Sequence, residues 1–344
     1  MNMPEYAIGY ETIGFVAVVS TPTVGSGVVR HVTEEALARF EELGVDVDSY
    51  QGVDLADTQR IVRELVDADY DAIVVVGGDA SINAVLQETA ESSVPVGMIP
   101  AGISNDFARQ FRLPTTPAAA ADVIYEGFTT TVDLGKLSDA AGNVSYFGTA
   151  ACTSFDPDNR PRLISRKLRR QLGATLAAFG EFMMLQPKTY RIEFSGLGEV
   201  PFIDETAREI RIARDGQYTP LDDGHLVLER AINFAAFGNM RHYAGGLLVC
   251  PRADTHDDAL DVTIVENANK IGVLQAFLGF RSGSHLDYEF ISTYRCKKAT
   301  VSLVEDHEGT SQPAEVFADG ALSLQLPVTI ESVPAAARFI VPAP

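Results

Sequence analysis

The sequence predicts an α/β N-terminal domain built on a parallel, doubly wound sheet, followed by a mainly β C-terminal domain. Three observations carry that expectation. Over residues 1–136, short apolar runs alternate with segments of helical spacing. Residues 137–325 consist mostly of short alternating segments, as half-buried strands do. Two of the early apolar runs also end directly in small-residue turns that open helices, and open α/β sheets bind ligands at such carboxyl ends.

In chain order, Gly14 to Ser20, Ala72 to Val76, Val94 to Ile99 and Thr129 to Leu134 read as strands. Between the first two, Thr33 is positioned to cap a helix carrying Ala36, Leu37 and Phe40 and ending near Gly44. A second helix repeats Ile61, Val62, Leu65 and Val66 over Thr58 to Val66. Asp79 to Glu88 and Asn105 to Gln110 then start helices immediately after strands. In the second half one helical block, Arg162 to Met184, sits among strand candidates such as Tyr190 to Phe194, Glu209 to Ala213 and Leu260 to Val265. The tail reads as two apolar strands broken by Pro327 and Pro334, and residues 326–344 are expected to return to the first domain.

Composition narrows the function. A chain of 344 residues with 46% hydrophobic content has ample core for two domains. Its formal net charge of −20 argues against nucleic acid as a partner, because a nucleic-acid binder needs a basic surface to displace counterions. Only six of the 27 basic residues are Lys, a balance that a high-salt cytoplasm or a GC-rich genome would equally produce. No apolar stretch reaches the roughly 20 residues that spanning requires, and no basic flank precedes Arg30, so a cytoplasmic protein is expected. Cys152, Cys250 and Cys296 are far apart and read as buried reduced thiols. The six histidines show no metal-ligand spacing and are taken as structural.

The chemistry concentrates in the two strand-to-helix turns. In Asp71 to Asn83, five apolar residues run straight into Gly77-Gly78-Asp79. Glycines there remove the Cβ and let phosphate oxygens approach backbone N–H groups at a helix start. A carboxylate beside phosphates is repulsive unless it meets Mg²⁺ or takes a proton, which makes Asp79 informative. Taken alone, the turn is better explained as a turn glycine pair with Asp79 as a helix N-cap. The second turn, Ile99-Pro-Ala-Gly-Ile-Ser-Asn-Asp-Phe-Ala-Arg109, repeats the pattern with Gly102, Ser104, Asn105 and Asp106.

Together these blocks resemble the bacterial diacylglycerol kinase family, which includes the sphingosine kinases and shares an NAD kinase-like fold. There the two turns read Gly-Gly-Asp-Gly-Thr and Gly-Thr-Gly-Asn-Asp-Phe-Ala-Arg. Thr21 to Gly27, Val132-Asp133-Leu134-Gly135-Lys136, Tyr146 to Asp156, Gly238 to Gly246, Asp257 to Val262 and Asp319-Gly320 are similar to further family blocks, in the family's order. The resemblance implies Mg²⁺-dependent transfer of the γ-phosphoryl group of ATP to a lipid hydroxyl. Gly77, Gly78, Ala80, Ser81, Asn83, Gly102, Ser104 and Asn105 would hold nucleotide, and Asp79 with Asp133 would manage metal or acceptor proton. It further implies a structural Mg²⁺ held by Asp257 and the carbonyls of Leu260 and Val262. A lipid substrate at the membrane surface, and a homodimer, fall within the same expectation.

Several motif positions depart from that pattern. Ala80 and Ser104 replace glycines, and Ile103 replaces a threonine. If position 80 needs a positive φ, its Cβ costs about 1 kcal/mol. Ala321 stands where the family has the Glu thought to take the acceptor proton, and a methyl group cannot do so. Loss of a general base costs about 10²- to 10⁴-fold in rate. A catalytically silent nucleotide- or lipid-binding module, and a kinase of a soluble acceptor such as NAD, therefore stay open. Six basic residues between Arg160 and Arg170, among them Arg166, Lys167, Arg169 and Arg170, reverse the local charge just before the apolar run Leu172 to Leu185. They suit anionic headgroups, or equally a helix face paired with the protein's own carboxylates.

Overall fold

The structure, a computed structural model, describes residues 8–21, 26–153, 182–183, 185–197, 225–304, 314–320 and 322–344. The cationic positions Arg166, Lys167, Arg169 and Arg170, the block Glu209 to Ala213 and the site position Ala321 lie outside the described residues. The chain divides into two compact units, residues 1–134 with 334–344 and residues 135–333.

The first unit contains β1 (Ile8–Tyr10), β2 (Phe15–Ser20), α1 (Ser26–Leu43), β3 (Asp46–Gln51), α2 (Leu55–Leu65), β4 (Ala72–Gly77), α3 (Asp79–Thr89), β5 (Pro95–Pro100), α4 (Asp106–Gln110), α5 (Pro117–Glu126) and the start of β6 (Phe128–Asp139). Strands β3, β2, β4 and β5 lie side by side and parallel, with Val18 opposite Val74 and Val75 opposite Met98. β4 and β5 are buried at every residue, so their unbroken apolar runs follow from cover on both faces. Val16, Val18, Val74 and Val76 share one core with Ala36 and Phe40 of α1 and Ala120 and Ile124 of α5. The alternate residues Ala17, Val19, Ile73 and Val75 point to the opposite face by the pleat, and α2 packs with α3. Burial of each of these Val, Ile and Phe side chains stabilises by about 1.5–3 kcal/mol.

Two local expectations need correction, and one strand was not anticipated. Thr33 is not an N-cap: α1 starts at Ser26, and the Thr33 hydroxyl donates back to the Val29 carbonyl within the helix, at 2.8 Å. The edge strand β3 reads poorly because it is largely exposed and carries two aspartates, so no apolar face marks it. The α2 helix begins three residues before Thr58, where the Asp54 side chain accepts the Asp57 N–H at 2.8 Å.

The second unit contains the end of β6 with β7 (Val144–Phe147), β8 (Ala150–Thr153), β9 (Lys188–Ser195), β10 (Leu226–Gly238), β11 (His242–Tyr243), β12 (Leu247–Leu248), β13 (Leu260–Glu266), α6 (Lys270–Gly279), β14 (Ile291–Cys296), β15 (Lys298–Leu303), β16 (Glu315–Ala318), β17 (Leu322–Gln325) and the start of β18 (Val328–Ile340). Among the described residues its strand pairs are antiparallel, with the long β10 bonded to β8, β9 and β13. One core gathers Phe147, Tyr190, Phe194, Phe237 and Ile330, and a second gathers Phe182, Phe234, Phe277 and Phe280. β18 runs unbroken through Pro334; its first half pairs with β15 and its end runs parallel to β5. The interruption expected at Pro334 is absent because Pro334 falls between those two paired stretches.

All three cysteines are free and buried, and burial pushes the Cys250 thiol up to about 12, which makes it inert. His285 is also fully buried, edge-on to Phe280 with centroids 4.5 Å apart and Nε2 3.1 Å from the Val249 carbonyl. Burial lowers its pKa from 6.5 to about 4. The folded state therefore holds His285 neutral where the unfolded chain already binds a proton. Its contribution is complete above pH 6.5 and is lost as pH falls toward 4. Replacing His285 with Gln should flatten the decline of melting temperature across that window, measured by thermal denaturation against pH; an unchanged slope would contradict the assignment.

Candidate functional site: two interlocked glycine turns

The β4 strand delivers Gly77 and Gly78 to the start of α3, and β5 delivers Gly102 to the start of α4. These turns touch through their backbones. A Cβ built on Gly78 would lie 2.9 Å from the Gly102 Cα, and one built on Gly102 would lie 2.4 Å from the Gly78 Cα. No side chain fits at either position without separating the turns. The Ala101 N–H donates to the Gly77 carbonyl at 2.8 Å and continues the β4–β5 ladder into this contact.

Asn105 locks the second turn. Its backbone is left-handed, with φ of 50°, a conformation that Asn tolerates better than most residues. Its Oδ1 accepts the Gly102 N–H at 3.0 Å, and its Nδ2 donates to the Gly102 carbonyl at 3.1 Å. The two turns are then tied by Asp79, whose Oδ1 accepts the Phe107 N–H at 3.1 Å. Asp79 thus occupies the first turn of its own helix, where the helix dipole favours a negative charge, while capping the next. Asp106 is buried beside Arg109, with 3.9 Å between carboxylate and guanidinium.

The α3 helix starts at Gly78 with no side-chain cap, leaving its first turn to other acceptors. Ser81 is completely buried against Gly77, and its hydroxyl has no hydrogen-bond partner among the described residues. Gly77, Gly78 and Gly102 without side chains, an uncapped helix and an unsatisfied hydroxyl form a donor set that fits the phosphates of a nucleotide. Asn83 is buried on α3 and accepts from Gln87 Nε2 at 3.2 Å. Ala80 sits inside the helix without a positive φ, so its Cβ carries no backbone strain. Ser104 is half-buried, and Ile103 is exposed at the outer rim.

Asp133 is buried on β6 and accepts the Ala335 N–H at 2.8 Å, steadying a residue whose φ is 49°. The structure places Asp79 on the Gly102–Phe107 turn and Asp133 on the β18 backbone.

In the second unit the blocks around residues 148, 239 and 319 converge, a meeting that their separation in sequence hides. Asp319, buried and left-handed at φ of 49°, accepts the N–H groups of Gly148 and Thr149 at 2.7 and 2.9 Å, and the Thr149 hydroxyl. Asn239 donates from Nδ2 to the Gly148 carbonyl and from its backbone N–H to the Thr149 carbonyl, both at 2.9 Å. This network fixes Asp319 just after the end of β16. Asp257 forms an ion pair with Arg295, and Asp258 pairs with Lys297 at 2.9 Å. The pair engages Asp257 Oδ2, while Asp257 Oδ1 is buried with no hydrogen-bond partner among the described residues.

Gly102→Ala should force the turns apart, lowering stability by about 1–3 kcal/mol and weakening ATP binding at least tenfold. Asn105→Gly, which keeps the left-handed backbone and loses only the side-chain bonds, should cost less than Asn105→Ala. Denaturant titration and calorimetry with ATP read both effects; a fully stable Gly102→Ala with unchanged affinity would contradict the geometry.

Residues 16–137 match the family model described as the diacylglycerol kinase catalytic domain, and residues 158–341 match the YegS C-terminal NAD kinase beta sandwich-like domain. A diacylglycerol kinase from Mycobacterium tuberculosis is 33% identical over 336 residues, covering 96% of each chain. One from Staphylococcus carnosus is 26% identical, covering 90% of this chain and 89% of the relative. A crystal structure of a diacylglycerol kinase from Bacillus anthracis shares the fold, with a TM-score of 0.64 over 95% of this chain and 96% of that one, at 18% identity. The two turns, the two-part architecture and these full-length similarities lead to one conclusion: the chain belongs to the bacterial diacylglycerol kinase family.

Proposed function

We propose that this protein transfers the γ-phosphoryl group of ATP to a hydroxyl of a diacylglycerol-like lipid. The observation that carries the reading is the interlock of Gly78 with Gly102, which brings two helix starts and one carboxylate, Asp79, to a single surface without side chains. Phosphoryl transfer asks a protein mainly for position and charge neutralisation. Gly77, Gly78 and Gly102 admit the phosphates to backbone N–H groups, and Ser81 supplies a hydroxyl within the same turn. Mg²⁺ bound with the nucleotide would neutralise its negative charge.

Asp79 has the second role. With Ala321 at the position of the family's Glu, the acceptor hydroxyl needs another base, and Asp79 is the carboxylate already held at the phosphate turn. Asp133 acts at a distance, by holding the β18 backbone. The enzyme works at the membrane surface, where its acceptor resides, and the cationic run with Arg166, Lys167, Arg169 and Arg170 favours anionic headgroups there. Ala321 also supports a second reading, in which the protein binds nucleotide without turning it over.

Incubation with labelled ATP, Mg²⁺ and diacylglycerol separates the two. The proposed activity labels lipid, and Asp79→Asn lowers the rate by about 10²- to 10⁴-fold while melting normally, because the amide oxygen still accepts from Phe107. ATP binding without labelled lipid would favour the silent module. Neither binding nor labelling would overturn both.

A further inference from the structure

The α6 helix is apolar on two faces, and only one of them is used. Gly272, Val273, Ala276 and Phe277 are buried in the aromatic core with Phe182 and Phe280. On the other side Ile271 is 69% exposed and Leu278 is 53% exposed, with half-buried Leu274 between them at helical spacing. Exposed Gln275 is the polar residue beside them, where a soluble helix ordinarily places several. The helix is well formed: Asn269 caps it by accepting the Ile271 and Gly272 N–H groups at 3.0 and 2.9 Å. The exposed stripe is therefore a property of the fold, not of a frayed end.

Its charge setting is unusual for this protein. The chain carries 47 acidic residues, yet from Asn267 to Leu286 there is no Asp or Glu. Lys270 and Arg281 flank the stripe at its two ends. Lys270 donates to the Met183 carbonyl at 2.7 Å, and neither Lys270 nor Arg281 forms an ion pair among the described residues. A symmetric contact with a second copy would set these cations against each other. An anionic lipid surface satisfies both features at once, taking the apolar side chains at the acyl boundary and the cations among the headgroups.

We infer that the outer face of α6, through Ile271, Leu274 and Leu278 with Lys270 and Arg281, docks this protein on anionic membranes. The choice of lipid as occupant rests on the lipid-acceptor reading above. Docking holds the chain at the surface from which its acceptor is drawn.

Sedimentation of the full chain with vesicles tests this, using phosphatidylcholine alone and equal parts phosphatidylcholine and phosphatidylglycerol. Wild-type protein should pellet with the mixed vesicles and far less with phosphatidylcholine. Lys270→Gln/Arg281→Gln should weaken binding roughly 25-fold, at about 5-fold per cation. Ile271→Ser/Leu278→Ser should weaken it at least tenfold, and both variants should melt like wild type because the replaced side chains are exposed. Wild-type binding by either variant would overturn the inference, as would concentration-dependent dimerisation abolished by the serine variant. A short-chain diacylglycerol in solution separates this from the kinase reading. Variants that phosphorylate it at the wild-type rate but lose the vesicles support the docking face. A wild type that binds vesicles through α6 yet labels no acceptor sinks only the kinase reading.

Discussion

The Gly78–Gly102 contact is the constraint on which the candidate site depends. Parallel strands β4 and β5 lie side by side, so the turns that leave their carboxyl ends must either diverge or meet. Here they meet at a separation that excludes even a methyl group. The two helix starts become one surface, and the other site residues serve that approach. Asn105 accepts a left-handed backbone to hold Gly102, and Asp79 spans from one turn to the next. A side-chain cap on α3 would satisfy its first-turn N–H groups and leave no open donor set there.

That constraint also explains which sequence departures matter. Ala80 replaces a family glycine, but the position is helical, so the substitution adds no strain. Ile103 lies at the exposed rim, where an apolar side chain removes a hydroxyl without closing the cradle. Ala321 changes chemistry instead of shape, because no backbone feature replaces a lost carboxylate. The positions that cannot change are Gly78 and Gly102, and both are glycine.

Much of the first unit was legible in the amino-acid sequence because buried parallel strands leave unbroken apolar runs, as Ala72 to Val76 does. The misses share a physical cause. β3 is an edge strand with acidic, exposed residues, and α1 starts well before the apolar periodicity that marks its middle. At the site, the glycines and Asp79 were readable as residue types at strand ends. Their mutual contact was not, since a backbone approach between turns some 24 residues apart leaves no pattern. The Asp319 network is hidden more deeply: it joins residues 170 and more positions apart through main-chain groups that any residue carries.

Hydrogen–deuterium exchange with and without Mg²⁺–ATP tests the central claim most directly, because backbone amides are the groups said to receive phosphate. The account predicts slowed exchange on nucleotide binding at residues 77–82 and 101–107 together, both effects being lost in Gly102→Ala. Protection confined to one turn, or appearing elsewhere in the chain, would contradict it.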